Sequence, residues 1–377
     1  MLRRTAWTAA ITAVALAAAG CTVSPGSTPA WQRVLLPSNV RAASVTSGGD
    51  TVLLGGQADG HPVLLRIDGL KTGTAVELNP QEPPAADADL ISVTVDGDDL
   101  YAIGRWFGGA PSNPRLTMWD GTVGSNLLTS RPQAFFTFGG HDAGNLLGIE
   151  VVAGRPVIFG LRTEAAGIEG VVWTLAGDTW TKHVRLDPSL VSNPDRVVSF
   201  TALGRLGDHL VVVGDEVGLA GGLTQQPSVW VGSPEGPWTQ AALPLPANLP
   251  PVAGQLSRAT SVACADGAGC WVAGWVRGRP VVWPVEVAVD GRITIQQPTL
   301  LAGTPPSDAD PTALVTLVAG RPVVLTGAGT PALQLGCPDD WRTLTAPTGT
   351  ATVLRAAASG LYAITSDGLQ RLEPPHC

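Results

Sequence analysis

An apolar β-run, a tight turn rich in Gly and Asp, and a second apolar run recur seven times along this chain. A recurrence at a near-constant interval restricts the possible folds more than any other feature of a sequence. The turns with their second strands read Gly48-Gly-Asp-Thr-Val-Leu-Leu-Gly55, Asp96-Gly-Asp-Asp-Leu-Tyr-Ala-Ile-Gly104, Gly154-Arg-Pro-Val-Ile-Phe-Gly160 and Gly207-Asp-His-Leu-Val-Val-Val-Gly214. Gly267-Ala-Gly-Cys-Trp-Val-Ala-Gly274, Gly320-Arg-Pro-Val-Val-Leu-Thr-Gly327 and Gly360-Leu-Tyr-Ala-Ile-Thr365 complete the series. The second run usually ends at Gly, which reads as the start of a turn. A third strand follows most hairpins and shares a Trp, at Trp119, Trp173, Trp230 and Trp283. A fourth segment is led by Trp, at Trp180, Trp238 and Trp341. Each unit therefore carries four strands in about fifty residues, too long a repeat for a β-helix.

The seventh unit has only three strands, ending near Leu372, while Trp31-Gln-Arg-Val-Leu-Leu-Pro37 matches the fourth segments yet precedes every repeat. The expectation is an all-β, seven-bladed β-propeller of four-stranded blades over residues 31–377, its ring closed by the N-terminal strand so that no edge is left open. Composition agrees. Only 14% of residues are charged, with 46 Gly and 32 Pro, which suits short strands and tight turns rather than long helices. The formal net charge of −8 argues against a nucleic-acid partner.

Residues 1–20 read as a leader: Arg3 and Arg4 form a basic start, 6–19 is mostly apolar and too short to span a bilayer, and small residues precede Cys21. Leu16-Ala-Ala-Ala-Gly-Cys21 resembles the lipobox of bacterial lipoproteins, with Ala18 where the family usually has Leu. The resemblance implies acylation of Cys21, a short tether over 21–30, and a place on the outer face of a cytoplasmic membrane; ordinary secretion after cleavage at Ala19 is the other reading. Assigning Cys21 to the lipid leaves four of the five cysteines, an even set for an oxidising compartment. Cys264 and Cys270 flank a turn-forming run and can face each other across a hairpin, which leaves Cys337 with Cys377; buried free thiols are the alternative.

With strands lettered a to d from the centre outward, the a–b and c–d turns share one face and the b–c and d–a connections the other. The second set is long, at 105–113, 161–167 and 215–226 between b and c, and at 79–89, 131–145, 187–195, 244–258 and 299–310 between d and a. Long loops on a rigid scaffold usually carry function, so this is the expected binding face. A tether over 22–30 reaches at most about 30 Å and enters on the opposite, c–d turn face, which is expected to lie towards the membrane. Ala176-Gly-Asp-Thr-Trp180 and Ser233-Pro-Glu-Gly-Pro-Trp238 resemble degenerate Asp-boxes, the Ser/Thr-x-Asp-x-Gly-x-x-Trp turns of sialidase-type propellers.

That resemblance raises a sialidase-like glycoside hydrolase or lyase as one reading of function. Its chemistry requires an arginine cluster, a Tyr activated by Glu, and an acid. Tyr101 and Tyr362 are the only tyrosines, and both fall inside b strands at matching positions, which reads as packing. Asp215 with Glu216, and Asp308 with Asp310, read as solvated turns rather than as paired catalytic carboxylates. The five histidines are scattered without zinc spacing, and no phosphate loop, haem motif or serine elbow is present, so neither metal nor cofactor is expected. Aromatics, by contrast, concentrate in Arg105, Trp106 and Phe107 at a b–c loop, and in Phe135, Phe136 and Phe138 of a d–a connection. These six residues are the candidate binding surface for an envelope protein or glycan; the alternative places Phe135–Phe138 in the innermost strand of blade three. The expectation overall is a non-enzymatic binding or scaffold module of the cell envelope.

Overall fold

The computed structural model describes residues 30–108, 114–220, 222–252, 254–303, 312–327 and 331–377. Seven sheets follow one another along the chain, each with antiparallel blade strands, and Glu77–Asn79 adds a parallel strand at the outer edge of the second. Blade one holds Val40–Gly48, Thr51–Ala58, His61–Asp68 and Lys71–Ala75; blade two Asp89–Asp96, Asp99–Trp106, Arg115–Thr122 and Leu127–Arg131. Blade three holds Ala143–Val152, Arg155–Glu164, Gly167–Ala176 and Thr179–His183; blade four Arg196–Leu206, His209–Gly218, Thr224–Gly232 and Trp238–Ala242. Blade five comprises Ser257–Ala265, Gly269–Val276, Arg279–Val287 and Ile293–Ile295, and blade six Ala313–Val318, Arg321–Thr326, Ala332–Gly336 and Trp341–Leu344. Blade seven comprises Ala351–Ala357, Gly360–Thr365 and Gly368–Leu372, and Gln32–Arg33 pairs with Arg371 and Gln370 in the fourth place of its sheet. The a strands of successive blades pack against one another, the seventh against the first. The molecule is a seven-bladed β-propeller.

Alternating apolar residues on each strand point to the two faces of a blade, so the core lies in the wedges between blades. Large aromatics fill it: Trp119, Trp230, Trp275 and Trp283 are among the largest fully buried side chains. A buried indole needs a partner for its N–H; Trp119 finds Thr117 on its own strand at 3.0 Å, and three further c-strand tryptophans find one in the connection that precedes their own blade. Trp173 donates to the Thr137 carbonyl at 2.7 Å, Trp230 to Ser189 at 3.0 Å and Trp283 to Pro244 at 2.7 Å. Each of these three thus fastens the long d–a connection to the blade beneath it.

The recurring glycine has a different cause from the turn expected of it. Gly56, Gly104, Gly160, Gly214 and Gly274 lie inside b strands, each paired beside a bulge in the neighbouring a strand. At Gly214 and Gly274 the carbonyl oxygens of Ser199 and Arg258 occupy the space that a Cβ would need. A bulge inserts one residue and twists the strand, so the opposing position must be small. The inserted residues Thr201 and Thr260 use the twist: their hydroxyls donate to Ala259 and Ala313 of the next blade, at 2.8 and 2.7 Å.

Two expected b–c loops are likewise strand. In blade three the ladder runs on to Glu164↔Gly167, and in blade four to Gly218↔Thr224, so polar residues past the glycine extend the hairpins beyond the core.

Candidate functional site

The face bearing the b–c and d–a connections is built from these hairpin tips and from the loops that the tryptophans fasten down. Of the six expected surface residues, Phe135–Phe138 forms one helical turn ahead of the innermost strand of blade three, which starts only at Ala143. The innermost-strand alternative is therefore corrected: Ala134 is extended, and the next carbonyls are taken within the turn, as when Gly139 N–H donates to Phe135 at 2.8 Å. Phe138 points inward, stacked on Trp173 at 5.6 Å between ring centres and edge-on to Trp180 at 6.0 Å. Phe135 and Phe136 point outward, 52% and 74% exposed, packed edge to face at 5.2 Å.

Arg105 and Trp106 end the second strand of blade two, and Phe107 follows them, 63% exposed. The Arg105 guanidinium lies 5.3 Å from the Phe107 ring centre. Trp106 pairs across the ladder with Arg115, whose guanidinium lies 5.5 Å from Phe135. The two aromatic groups separated in sequence are in this way joined through Arg115 into one ledge. Cations over aromatic faces hold both partners in place without removing them from solvent.

A second apolar group on the same face has no counterpart among the sequence expectations. Leu219 and Leu223 lie in the b–c loop of blade four, and Val252 and Leu256 in the connection to blade five, all exposed. The Gly254 N–H donates to the Leu223 carbonyl at 3.2 Å, tying the two segments together. Ten large apolar residues are exposed among the described residues, and seven of them sit in these two aromatic and aliphatic groups.

Between blades one and two the same face holds a cleft of about 330 Å³, lined by Arg41, Gln57, Gly60, Asp87, Asp89, Arg105, Trp106 and Phe107. Asp89 is buried, with one carboxylate oxygen on Arg41 at 2.9 Å. Arg41 also donates to Gln57 at 3.2 Å, and Gln57 donates to the Asp87 carbonyl at the same distance. Burial pushes the Asp89 carboxyl above its ordinary value, while Arg41 and Arg105 pull it back.

The other expected positions fall as follows. Cys21 lies outside the described residues, as do Asp308 and Asp310. Cys264 and Cys270 are ladder partners joined by a disulfide, and a second disulfide joins Cys337 to Cys377. Asp215 and Glu216 are corrected from solvated turn to strand. Asp215 is 1% exposed and held by Arg258 at 2.9 Å, and Glu216 is held by Arg196 at 3.0 Å. Tyr362 is fully buried, its hydroxyl 2.9 Å from Ser359. Among the described residues no group of three His, Cys, Asp or Glu side chains stands ready for a metal ion.

No protein-family model matches the chain, and no curated protein does. Solved structures do. A protein from Lactobacillus plantarum superposes with a TM-score of 0.51 at 12% identity, covering 87% of this chain and 96% of that one. Sqt1 of Saccharomyces cerevisiae gives a TM-score of 0.50 at 12% identity, over 88% and 82% of the two chains. An acylaminoacyl peptidase from Pyrococcus horikoshii reaches 0.47 at 9% identity, over 86% of this chain and 51% of the peptidase. The likeness is one of fold alone.

Proposed function

We propose that this chain is a lipid-anchored, extracytoplasmic β-propeller that binds a macromolecule of the bacterial cell envelope without acting on it chemically. The observation that carries this reading is the aromatic ledge. Phe138, locked between Trp173 and Trp180, fixes a helical turn whose Phe135 and Phe136 stand in solvent. Exposing two adjacent phenyl rings is costly in water, and rigid, clustered aromatics are what the centres of protein interfaces are made of. The blade scaffold supplies the rigidity, so little ordering entropy opposes docking. On this reading the acyl group on Cys21 holds the c–d turn face towards the membrane and presents the ledge to the envelope, since Gln32 starts an outer strand beside Arg371 on that turn face.

Two measurements test the proposal. Capture from detergent-solubilised envelope is compared between the parent and a Phe107→Ser/Phe135→Ser/Phe136→Ser variant shown to melt like the parent; a partner retained equally by both overturns the ledge. Metabolic palmitate labelling of the parent and of Cys21→Ala tests the anchor, and equal labelling, or none in either, overturns it.

A further inference from the structure

The innermost strands enclose the axis of the ring, and near the a–b turns they carry few charges. Counted in from those turns, the third ladder pair holds Thr46, Thr94, Gly204, Ala263 or Thr316 in five blades, Glu150 in blade three and Arg355 in blade seven. Equivalent pairs of equivalent blades lie at one depth around the central channel, so Glu150 and Arg355 share a layer. Side chains of this layer lean towards the following blade. The Thr316 hydroxyl accepts the Ala356 N–H of blade seven at 2.9 Å, and a Cβ added at Gly204 would have 3.4 Å to Val262 and 3.6 Å to Cys264 of blade five. By the same pleat Glu150 faces blade four, where Arg205 stands at the second pair. Glu150 and Arg205 are half-buried and Arg355 is exposed, so solvent reaches all three. Burial raises the Glu150 carboxyl, and Arg355 and then Arg205 pull it back. The other neighbours of Glu150, Thr94 of blade two and Val157 of its own sheet, do not titrate.

Charge and access name a ligand. From the level of the bulges to the a–b turns, the innermost strands carry one further ionisable side chain, Asp96, exposed at the first pair of blade two. Two guanidiniums and one carboxylate leave a single positive charge among small neutral side chains, and a monovalent anion balances it. The fork of a guanidinium matches the two oxygens of a carboxylate. A cavity of about 820 Å³ opens at this end of the ring, within the size range of small-molecule sites. Ser47, Leu317 and Ala356 line it, and these are the second-pair residues of blades one, six and seven, the layer to which Arg205 belongs. We infer that the turn-face end of the axial channel binds a small monovalent carboxylate, held by Arg205 and Arg355 beside Glu150. The site lies at the opposite end of the ring from the aromatic ledge and does not depend on it.

Saturation-transfer NMR on the folded protein tests the assignment, with acetate and propionate as probes, acetamide as the neutral control, and ionic strength held constant with chloride. At least one carboxylate is expected to receive saturation, and acetamide none. Arg205→Gln and Arg355→Gln are each expected to weaken that carboxylate by at least about tenfold, the worth of a hydrogen bond to a charged group. The parent is expected to bind more tightly as the pH falls towards the carboxylate range and Glu150 takes up a proton. Glu150→Gln, which removes the like charge, is expected to bind several-fold more tightly than the parent at neutral pH and to lose that pH dependence. Phe135→Ser/Phe136→Ser is expected to bind as the parent does, which separates failure of this site from failure of the ledge. Absence of binding by both carboxylates, equal binding of acetamide, or parental affinity in both arginine variants would overturn the inference. An unchanged affinity and pH profile in Glu150→Gln, or loss of binding in the phenylalanine variant, would overturn it as well.

Discussion

Replacing Gly214 by Ala adds one methyl group to a buried strand, a change that most strands welcome. Here the new Cβ would fall on the Ser199 carbonyl oxygen and lie 2.9 Å from the Cα of Phe200. Unstrained carbon pairs sit about 3.5–4.0 Å apart. The obstacle is backbone, so no rotamer relieves it; the bulged strand must move and strain its ladder bonds. Overpacking of this kind costs about 3 kcal/mol. With an unfolding entropy of about 2.1 cal/mol/K per residue over the propeller, that lowers the melting temperature by about 4 °C. The control is Gly148→Ala, at the bulge of blade three, where an added Cβ would have 3.7 Å to both Leu203 and Ser92. There the alanine restricts the unfolded chain and should be neutral or stabilising by up to about 1 kcal/mol. Both are read by differential scanning calorimetry at a fixed scan rate. If Gly214→Ala melts with the parent, or both variants fall together, the carbonyl in the Cβ position is not what requires glycine.

Truncation should divide the phenylalanines of the helical turn. Phe138→Ala is expected to cost about 3–5 kcal/mol by urea unfolding, against no more than about 0.5 kcal/mol for Phe135→Ser. The disulfides should differ through loop length: removing Cys337–Cys377, with a sequence separation of 40, is expected to cost about 4 kcal/mol, and removing Cys264–Cys270, with a separation of 6, about 2 kcal/mol, in paired Ser variants. Burial pushes the Glu150 carboxyl above its ordinary 4.5 against the pull of Arg355 and Arg205. A folded pKa above the unfolded one means stability falls as pH rises between the two. Glu150→Gln should therefore match the parent well below pH 4.5 and exceed it at neutral pH, as followed by urea midpoints.

The seven units, the shared tryptophans and the Cys264–Cys270 pair were legible because each is local: a hairpin, a spacing, a turn between two thiols; Cys337–Cys377, 40 positions apart, followed only as the pair left over. What escaped the sequence depends on contacts across blades. Gly214 looks like the end of a strand because alternation cannot reveal a bulge in the partner. Asp215 looks like solvated turn because Arg258, which holds it, lies in the next blade 43 positions on. The candidate surface was half legible: a run of phenylalanines marks itself, but only the structure shows Phe138 turned inward to hold the other two out. Leu219, Leu223, Val252 and Leu256 left no mark at all, since aliphatic residues scattered in Gly- and Pro-rich loops have no periodicity to say which way they point.

The start of the described chain also has a mechanical meaning. Gln32 and Arg33 pair with blade seven, Val34 N–H donates to Leu369, and one residue later Leu35 exchanges backbone bonds with Leu70 and Thr72 of blade one. The Trp31 indole adds a bond to Thr345 at 2.8 Å. Tension applied ahead of residue 30 would be borne first by this clasp of few bonds shared between two blades. Its two-residue ladder would open while the five-residue ladder behind it in blade seven holds, and the clasp would then act as a fuse that yields before the blade does.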